Sequence, residues 1–419
     1  MFKIRNEYFK NILTLFTGAT SAQVLPFLVS PLLTRLYSPD DFGVLAIFFS
    51  LCSIFSVLAS GRYELSILLP EKIESAINLL VFCIATAFLV STVLMIVVIV
   101  FNVEITNLLG NNSISLWLYF VPLVVFMMSS YNSLRYFSLR LKDFKSVSIS
   151  RAVKSGASSI IKILLGFLGF VPHGLMTGEI ISHFFGNSSF LKNLYKKRKL
   201  FHIVNKEEVL IQAKKYSEFP KYSLPAALSN TLSLNLISVF MSSFFSLSIL
   251  GHYSLVNKAV NLPLNLIGSS ISDAYFQKAA EEKNKAGNSK DVFIVSFKYL
   301  IVVAAAVFLI LFFAGEGMFA FVFGESWRIA GKYARILSFL VAVRFVAVPL
   351  SVTMSVFEKQ KVSLFLTFLQ LMTMMCIFFL TWMLGLDVED FLVLFSFVMT
   401  IYYIFMFFAC YLVASGRYK

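Results

Sequence analysis

One pattern governs this chain: about a dozen apolar runs, each of about 17–30 residues, separated by short polar gaps. A run of that length crosses a hydrocarbon core of about 30 Å as a helix. Inside lipid the backbone must satisfy its own polar groups, so the runs read as helices rather than open strands. Charge content agrees: 14% of the residues are Asp, Glu, Lys or Arg, against about 25% in a soluble domain. The expectation is an all-α integral membrane protein with spans at 11–33, 42–69, 77–101, 114–136, 149–170, 173–191, 217–247, 253–275, 291–314, 328–357, 362–385 and 390–414. The first run holds Pro26 and Pro31 and lacks a small-residue cleavage site, so it reads as a span rather than a signal peptide.

The gaps alternate in charge. Taking the N-terminal side as inner, its gaps hold 28 of the 36 basic residues: Lys3, Arg5 and Lys10, Lys72, the cluster Arg135–Lys154, the nine from Lys192 to Lys221, then Lys278–Lys298, Lys359, Lys361, Arg417 and Lys419. The outer gaps hold Asp40, Asp41, Glu104, Glu316, Glu325, Asp387, Glu389 and Asp390. Such a bias places both termini in the cytoplasm. The net charge of +14 is then accounted for by topology and anionic lipid rather than by nucleic acid. Cys52, Cys83, Cys376 and Cys410 all fall inside apolar runs without metal-ligand spacing, which argues against a disulfide framework or a metal site.

A basic stretch at 192–216 divides the chain into two lobes of six spans, 1–205 and 206–419. A shift of 208 residues lays Gly251 on Gly43 and Ser246 on Ser38, a weak sign of an internal duplication. Pro26, Pro31, Pro122, Pro225, Pro263 and Pro349 fall within spans, where they either kink a helix or reflect the ordinary use of Pro in membrane helices.

Eight cations lie outside the inner gaps: Arg35, Arg62, Lys162, Lys258, Arg328, Lys332, Arg335 and Arg344. A charge at bilayer depth costs about 2.5–3.5 kcal/mol and faces protein or water. Arg62, Lys162, Lys258 and Arg344 are therefore expected to line a cationic cavity, unless each pairs with an acid or snorkels. The acids in the spans are Glu64, Glu179 and Asp273; Glu64 is two positions from Arg62, which in a helix separates their faces. Glu179 and His183, four apart, share a helix face as a proton carrier or a structural pair. Arg328, Lys332 and Arg335 form a basic stripe at the outer end of span ten, either guiding an anion or neutralising Glu325 and Glu316.

LTRLYSPDDFGVLAI (33–47), at the first hairpin, resembles the corresponding stretch of polysaccharide-exporting flippases of the O-antigen flippase (Wzx) type. HYSLVNKAVNLPLNLIGSSISDAYFQKAAE (252–281) is similar to that family's eighth span and loop, and FGESWRIAGKYARILSF (323–339) with RFVAVPLS (344–351) to its tenth. The superfamily also holds the multidrug and toxin extrusion antiporters. The resemblance implies a V-shaped, alternating-access transporter that moves undecaprenyl-diphosphate-linked oligosaccharide from the cytoplasmic to the outer leaflet of the bacterial inner membrane. The polysaccharide polymerase and chain-length machinery would be its partners.

Positions matched to the family are Arg35, Gly43, Lys258, Pro263, Arg344 and Pro349. The family often has Arg where Lys258 stands, and Lys lacks the bidentate fork. From the charge of such a cargo, Arg62, Lys162, Lys258 and Arg344 are expected to form the head-group site, with Arg35 and the stripe Arg328, Lys332 and Arg335 at an outer gate. Glu64, Glu179, His183 and Asp273 are candidates for proton coupling, since no ATP-binding sequence is present. Two rivals share the fold: a multidrug antiporter, whose cavity should be acid-rich, and a peptidoglycan-precursor flippase, whose relatives tend to have more spans. A polymerase or ligase is disfavoured by short outer gaps and by the lack of a catalytic motif; neither an enzyme nor a cofactor is expected.

Overall fold

The structure, a computed structural model, describes residues 23–171, 173–195 and 202–417. Residues 11–22 of the expected first span lie outside these, as do Lys3, Arg5, Lys10, Lys196, Lys197, Arg198, Lys199 and Lys419. The described residues are overwhelmingly helical and contain no strand. In chain order the main helices begin with α1 (Gln23–Leu36), α2 (Pro39–Ser60), α3 (Ile73–Leu108), α4 (Val121–Arg140) and α5 (Phe144–Phe167). Then come α6 (His173–Tyr195), α7 (Lys206–Lys215), α8 (Leu224–Phe244), α9 (Leu247–Ala286) and α10 (Lys290–Leu309). The last are α11 (Arg328–Leu350), α12 (Gln360–Leu384) and α13 (Val388–Ala414).

Within the described residues each expected span contains most or all of one of these helices, although some runs extend past the helix end into a turn or a further short helix. By length and composition seven helical stretches can cross a bilayer, and an eighth if Asn112–Leu118 and Val121–Arg140, bent by 53°, count as one. Helices α5, α6 and α9 are not among them because Ser, Asn, Gly and charged residues interrupt their apolar character. Lys162 lies on α5, Glu179 and His183 on α6, and Lys258 on α9.

Packing divides the chain into two compact units, Met1–Ser248 and Ile249–Lys419. Helices α7 and α8 belong to the first: the Tyr63 hydroxyl donates to the Ala213 carbonyl (3.1 Å), and the Ser243 hydroxyl to that of Leu108 (2.8 Å). The expected lobe boundary at 205/206 stays a proposal about the order of spans, distinct from this division by packing.

Within the first unit, Ile67, Ile77, Leu80, Phe137, Val147 and Phe190 form a buried cluster that ties α3, α4, α5 and α6 together. The SPDD motif of the first hairpin is a helix start. Ser38 caps α2 by accepting from the Asp41 N–H (3.3 Å), Asp41 accepts in return from the Ser38 N–H (2.8 Å), and Pro39 occupies the first turn. Gly43 lies where α2 meets the start of α9, and a Cβ there would sit 2.1 Å from the Leu247 carbonyl oxygen.

One expectation fails here. The run 42–69 is not one helix: α2 ends at Ser60, Gly61 and Arg62 both adopt positive φ (55° and 62°), and Tyr63–Leu68 is a 3₁₀ turn. The helical geometry that would have separated Arg62 from Glu64 is absent.

The second unit is held by contacts across its helices. Tyr275 and Thr353 share a 2.6 Å hydrogen bond, the Tyr402 hydroxyl donates to the Leu366 carbonyl (3.0 Å), and the Ser289 N–H to that of Ala414 (2.8 Å). Helix α9 runs for 40 residues through Pro263, and α10 passes through a π-helical stretch, Ile310–Ala314, into Gly315–Phe323.

Candidate functional site: a polar pocket beside Arg344

In the first unit the intramembrane charges meet between α5 and α6. Gly174, Gly178, Ser182 and Gly186, spaced by four, give α6 a small-residue face. Such a face lets two membrane helices approach closely. A Cβ on Gly178 would lie 2.5 Å from the Lys162 Cγ, and one on Gly174 2.1 Å from the Tyr37 hydroxyl. The hydroxyl of Tyr37 donates to the Lys162 carbonyl (2.6 Å), and that of Ser150 to the Gly186 carbonyl (2.7 Å).

Into this contact Lys162 extends its ammonium, 2.5 Å from Glu179. Glu179 also accepts from Ser158 (3.3 Å) and lies 3.7 Å from the His183 Nε2. His183 is fully buried, and neither ring nitrogen has a hydrogen-bond partner among the described residues. Lys154, two turns before Lys162, feels the Glu179 charge and lies over the Tyr131 ring at 5.3 Å. Sequence spacing assigned Lys154 to an inner gap, yet it lies within α5 as part of this cluster.

Paired cations recur elsewhere. Arg62 reaches Glu64 at 3.4 Å, with the carboxylate buried and the Arg62 Nε and Glu64 Oε2 unpartnered. The stripe on α11 takes three different acids: Arg328 with Glu325 (2.6 Å), Arg335 with Glu316 (2.8 Å), and Lys332 with Glu389. The expected neutralisation of Glu325 and Glu316 is therefore present, with a third pair added. Arg35 and Asp273 are exposed and form no ion pair among the described residues.

Arg344 stands differently. It is half-buried on α11 and forms no ion pair among the described residues. It lines a pocket of about 320 Å³ between α9 and α11, together with Asn261, Asn265, Ser269, Ser272 and Pro349. Lys258 lies on the same helix, three residues before Asn261, and is half-buried. Gly268 packs against Pro349, its hypothetical Cβ 3.2 Å from the ring. A Pro within a helix removes one backbone donor and frees a carbonyl four residues back. Pro263 and Pro349 do this on the two helices that form the pocket.

Of the four cations expected to line one cavity, Arg62 and Lys162 are thus each engaged by a carboxylate, and Arg344 alone opens onto this pocket. Asn261, Asn265, Ser269 and Ser272 escaped the sequence reading, which searched for charge. Their signal was present: Asn257, Asn261 and Asn265 recur every fourth residue, followed by Ser269, along an otherwise apolar helix.

The profile of a family described as "Polysaccharide biosynthesis protein" matches residues 32–332, well over half of the chain. The chain belongs to this family. It is also 20% identical, over 309 residues, to the succinoglycan biosynthesis transport protein ExoT of Rhizobium meliloti. That match covers 73% of this chain and 60% of ExoT, so the chain spans about three-fifths of that relative's length.

Among solved structures, the lipid II flippase MurJ in an inward closed conformation superposes with a TM-score of 0.70 at 13% identity, covering 95% of this chain and 87% of MurJ. An inward-facing multidrug resistance MATE family transporter of the MOP superfamily gives 0.69 at 12% identity, covering 95% and 93%. A MOP superfamily transporter from Pyrococcus furiosus, described as having a binding pocket of reversed polarity, gives 0.61 at 14% identity, covering 96% and 94%. At these identities the likeness shows the fold alone. This family member is a multi-pass membrane protein with the fold of MOP superfamily transporters.

Proposed function

We propose that this protein is a flippase for lipid-linked oligosaccharide, moving undecaprenyl-diphosphate-linked repeat units of a surface polysaccharide from the cytoplasmic to the outer leaflet of the inner membrane by alternating access. The observation that carries this reading is the pocket at Arg344: a half-buried guanidinium within the apolar stretch Glu325–Val356, with no carboxylate partner among the described residues, beside amides and hydroxyls. Polar residues within such a stretch face water or protein rather than lipid. A guanidinium fork matches a phosphate group bidentately. A cationic drug would meet repulsion there, which favours the anionic lipid over the antiporter reading. The carried head group cannot cross hydrocarbon unaided, whereas its prenyl tail can stay in the bilayer.

Membership of a polysaccharide biosynthesis family and the relation to a succinoglycan transport protein support the same substrate class. In this proposal Glu179 and His183 are the pair through which a proton gradient acts, while Glu64 is tied to Arg62 and Asp273 lies exposed on α9.

The test uses proteoliposomes loaded with undecaprenyl-diphosphate oligosaccharide, the transported fraction being read with a membrane-impermeant glycosidase. The protein should accelerate exposure over protein-free vesicles, and Arg344→Ala should slow it about tenfold or more, the worth of a charge-assisted hydrogen bond. Equal rates with and without protein would overturn the flippase, and an unaffected Arg344→Ala variant would overturn the pocket's role. Rates insensitive to collapse of the proton gradient would remove the role given to Glu179 and His183.

A further inference from the structure

We propose that Asn261, Asn265, Ser269 and Ser272 form a hydroxyl-reading subsite that recognises the sugar attached directly to the anionic group held by Arg344. The inference rests on the flippase reading for the nature of the anionic group, and deepens it by assigning the contacts to the sugar.

The four residues are spaced by four, four and three along α9, which keeps them on one face. All four line the pocket that contains Arg344. Their hydrogen-bonding capacity is only partly used. Asn261 donates one amide hydrogen to the Asn257 side chain (2.9 Å), keeping its carbonyl oxygen and a second hydrogen. Asn265 is exposed to the pocket and makes no side-chain hydrogen bond among the described residues, so two donors and an acceptor are available. Ser269 donates to the Leu266 carbonyl (3.2 Å) and Ser272 to that of Pro349 (3.1 Å), so both hydroxyl oxygens present lone pairs only.

The lining therefore offers interleaved neutral donors and acceptors beside one cation. A sugar hydroxyl both donates and accepts, so a polyol satisfies this lining as neither a bare phosphate nor an apolar molecule does. A phosphate alone would engage Arg344 and accept from the amide N–H groups, but it has no donors for the amide carbonyls and the serine lone pairs; an apolar occupant would leave all of them desolvated and unpaired. Gly268 also lines the pocket, where a Cβ would crowd the Pro349 ring (3.2 Å) and come into ordinary contact with the Phe345 ring (3.6 Å).

The experiment measures binding to the full chain in lipid nanodiscs by native mass spectrometry. Two probes are used: a short-chain prenyl diphosphate, and the same molecule carrying one neutral hexose. Asn265→Leu should weaken the hexose probe about tenfold and leave the sugar-free probe unchanged. Arg344→Ala should weaken both, and Asn265→Gln, which keeps an amide, should recover most of the hexose preference. Equal loss of both probes in Asn265→Leu, or loss of neither, would overturn the subsite. Flipping of the complete lipid-linked oligosaccharide is measured in parallel. Hexose-selective binding without flipping would overturn the flippase and leave the subsite standing, whereas normal flipping with Asn265→Leu binding unchanged would overturn the subsite alone.

Discussion

Lys162 illustrates how one side chain's role depends on a partner that the sequence does not announce. Its ammonium meets Glu179 on the next helix at 2.5 Å, and a glycine at 178 leaves room for its stem. Removing one member of a buried pair strands the other charge, at a cost of about 3–5 kcal/mol, while replacing both with apolar groups is often neutral. Lys162→Met should therefore lower the melting temperature sharply, and Lys162→Met with Glu179→Leu should recover most of the loss. Calorimetry or thermal unfolding in detergent reads both. Gly43 makes a similar point through sterics. The carbonyl oxygen that a Cβ at 43 would strike belongs to backbone, which cannot rotate away, so Gly43→Ala should destabilise by about 1–3 kcal/mol. The family resemblance marked Gly43 as a matched position, but its neighbour Leu247 lies in the other half of the sequence. Arg62 was misread for a different reason: helical periodicity was extended through Gly61, where the chain turns left-handed and lets Arg62 and Glu64 meet.

At the level of elements, hydrophobic runs fixed nearly every helix, because length and apolarity are properties of one segment. What each helix face meets is a property of two. The basic stripe on α11 could be drawn from spacing alone, and Glu325 and Glu316 lie near enough in sequence to suggest themselves. Glu389, on α13, does not. Exposed pairs of this kind contribute about 0–1 kcal/mol each, so Arg328→Ala should leave folding and transport close to the parent in the vesicle assay. A second device joins the C-terminal end of α9 to the turn before α12. Lys283 donates to the Val356 carbonyl (2.8 Å) and to Glu358 (2.9 Å), and it holds the Glu358 carboxyl below its usual range. A depressed carboxyl contributes stability above its unfolded value, about 4.3, and that contribution fades as pH falls through the lower folded value. Amide-exchange protection of residues 355–359, corrected for intrinsic rates, should thus drop selectively below about pH 4. In Glu358→Gln that pH dependence should vanish.

For the molecule as a whole, the question is whether its intramembrane cations serve the fold or the cargo, and charge reversal separates the two. If Lys162 serves the fold, exchanging partners (Lys162→Glu with Glu179→Lys) preserves an ion pair between α5 and α6, and the double variant should regain stability that either single reversal loses. Lys154 sharpens the expectation, since in the single Lys162→Glu variant it remains beside two carboxylates and can satisfy only one of them. With no proton gradient imposed, so that the coupling role given to Glu179 does not enter, transport by the folded double variant should stay within about threefold of the parent, a shift of less than 1 kcal/mol in the barrier. No such exchange exists for Arg344, whose surroundings are amides and hydroxyls. Arg344→Glu should abolish flipping at unchanged melting temperature, because it turns the one cation of that lining into a charge that repels a diphosphate. A stable Lys162→Glu/Glu179→Lys double variant that transports nothing even without an imposed gradient would place the cargo's phosphates at Lys162 instead, and the same proteoliposome assay reads all of these variants side by side.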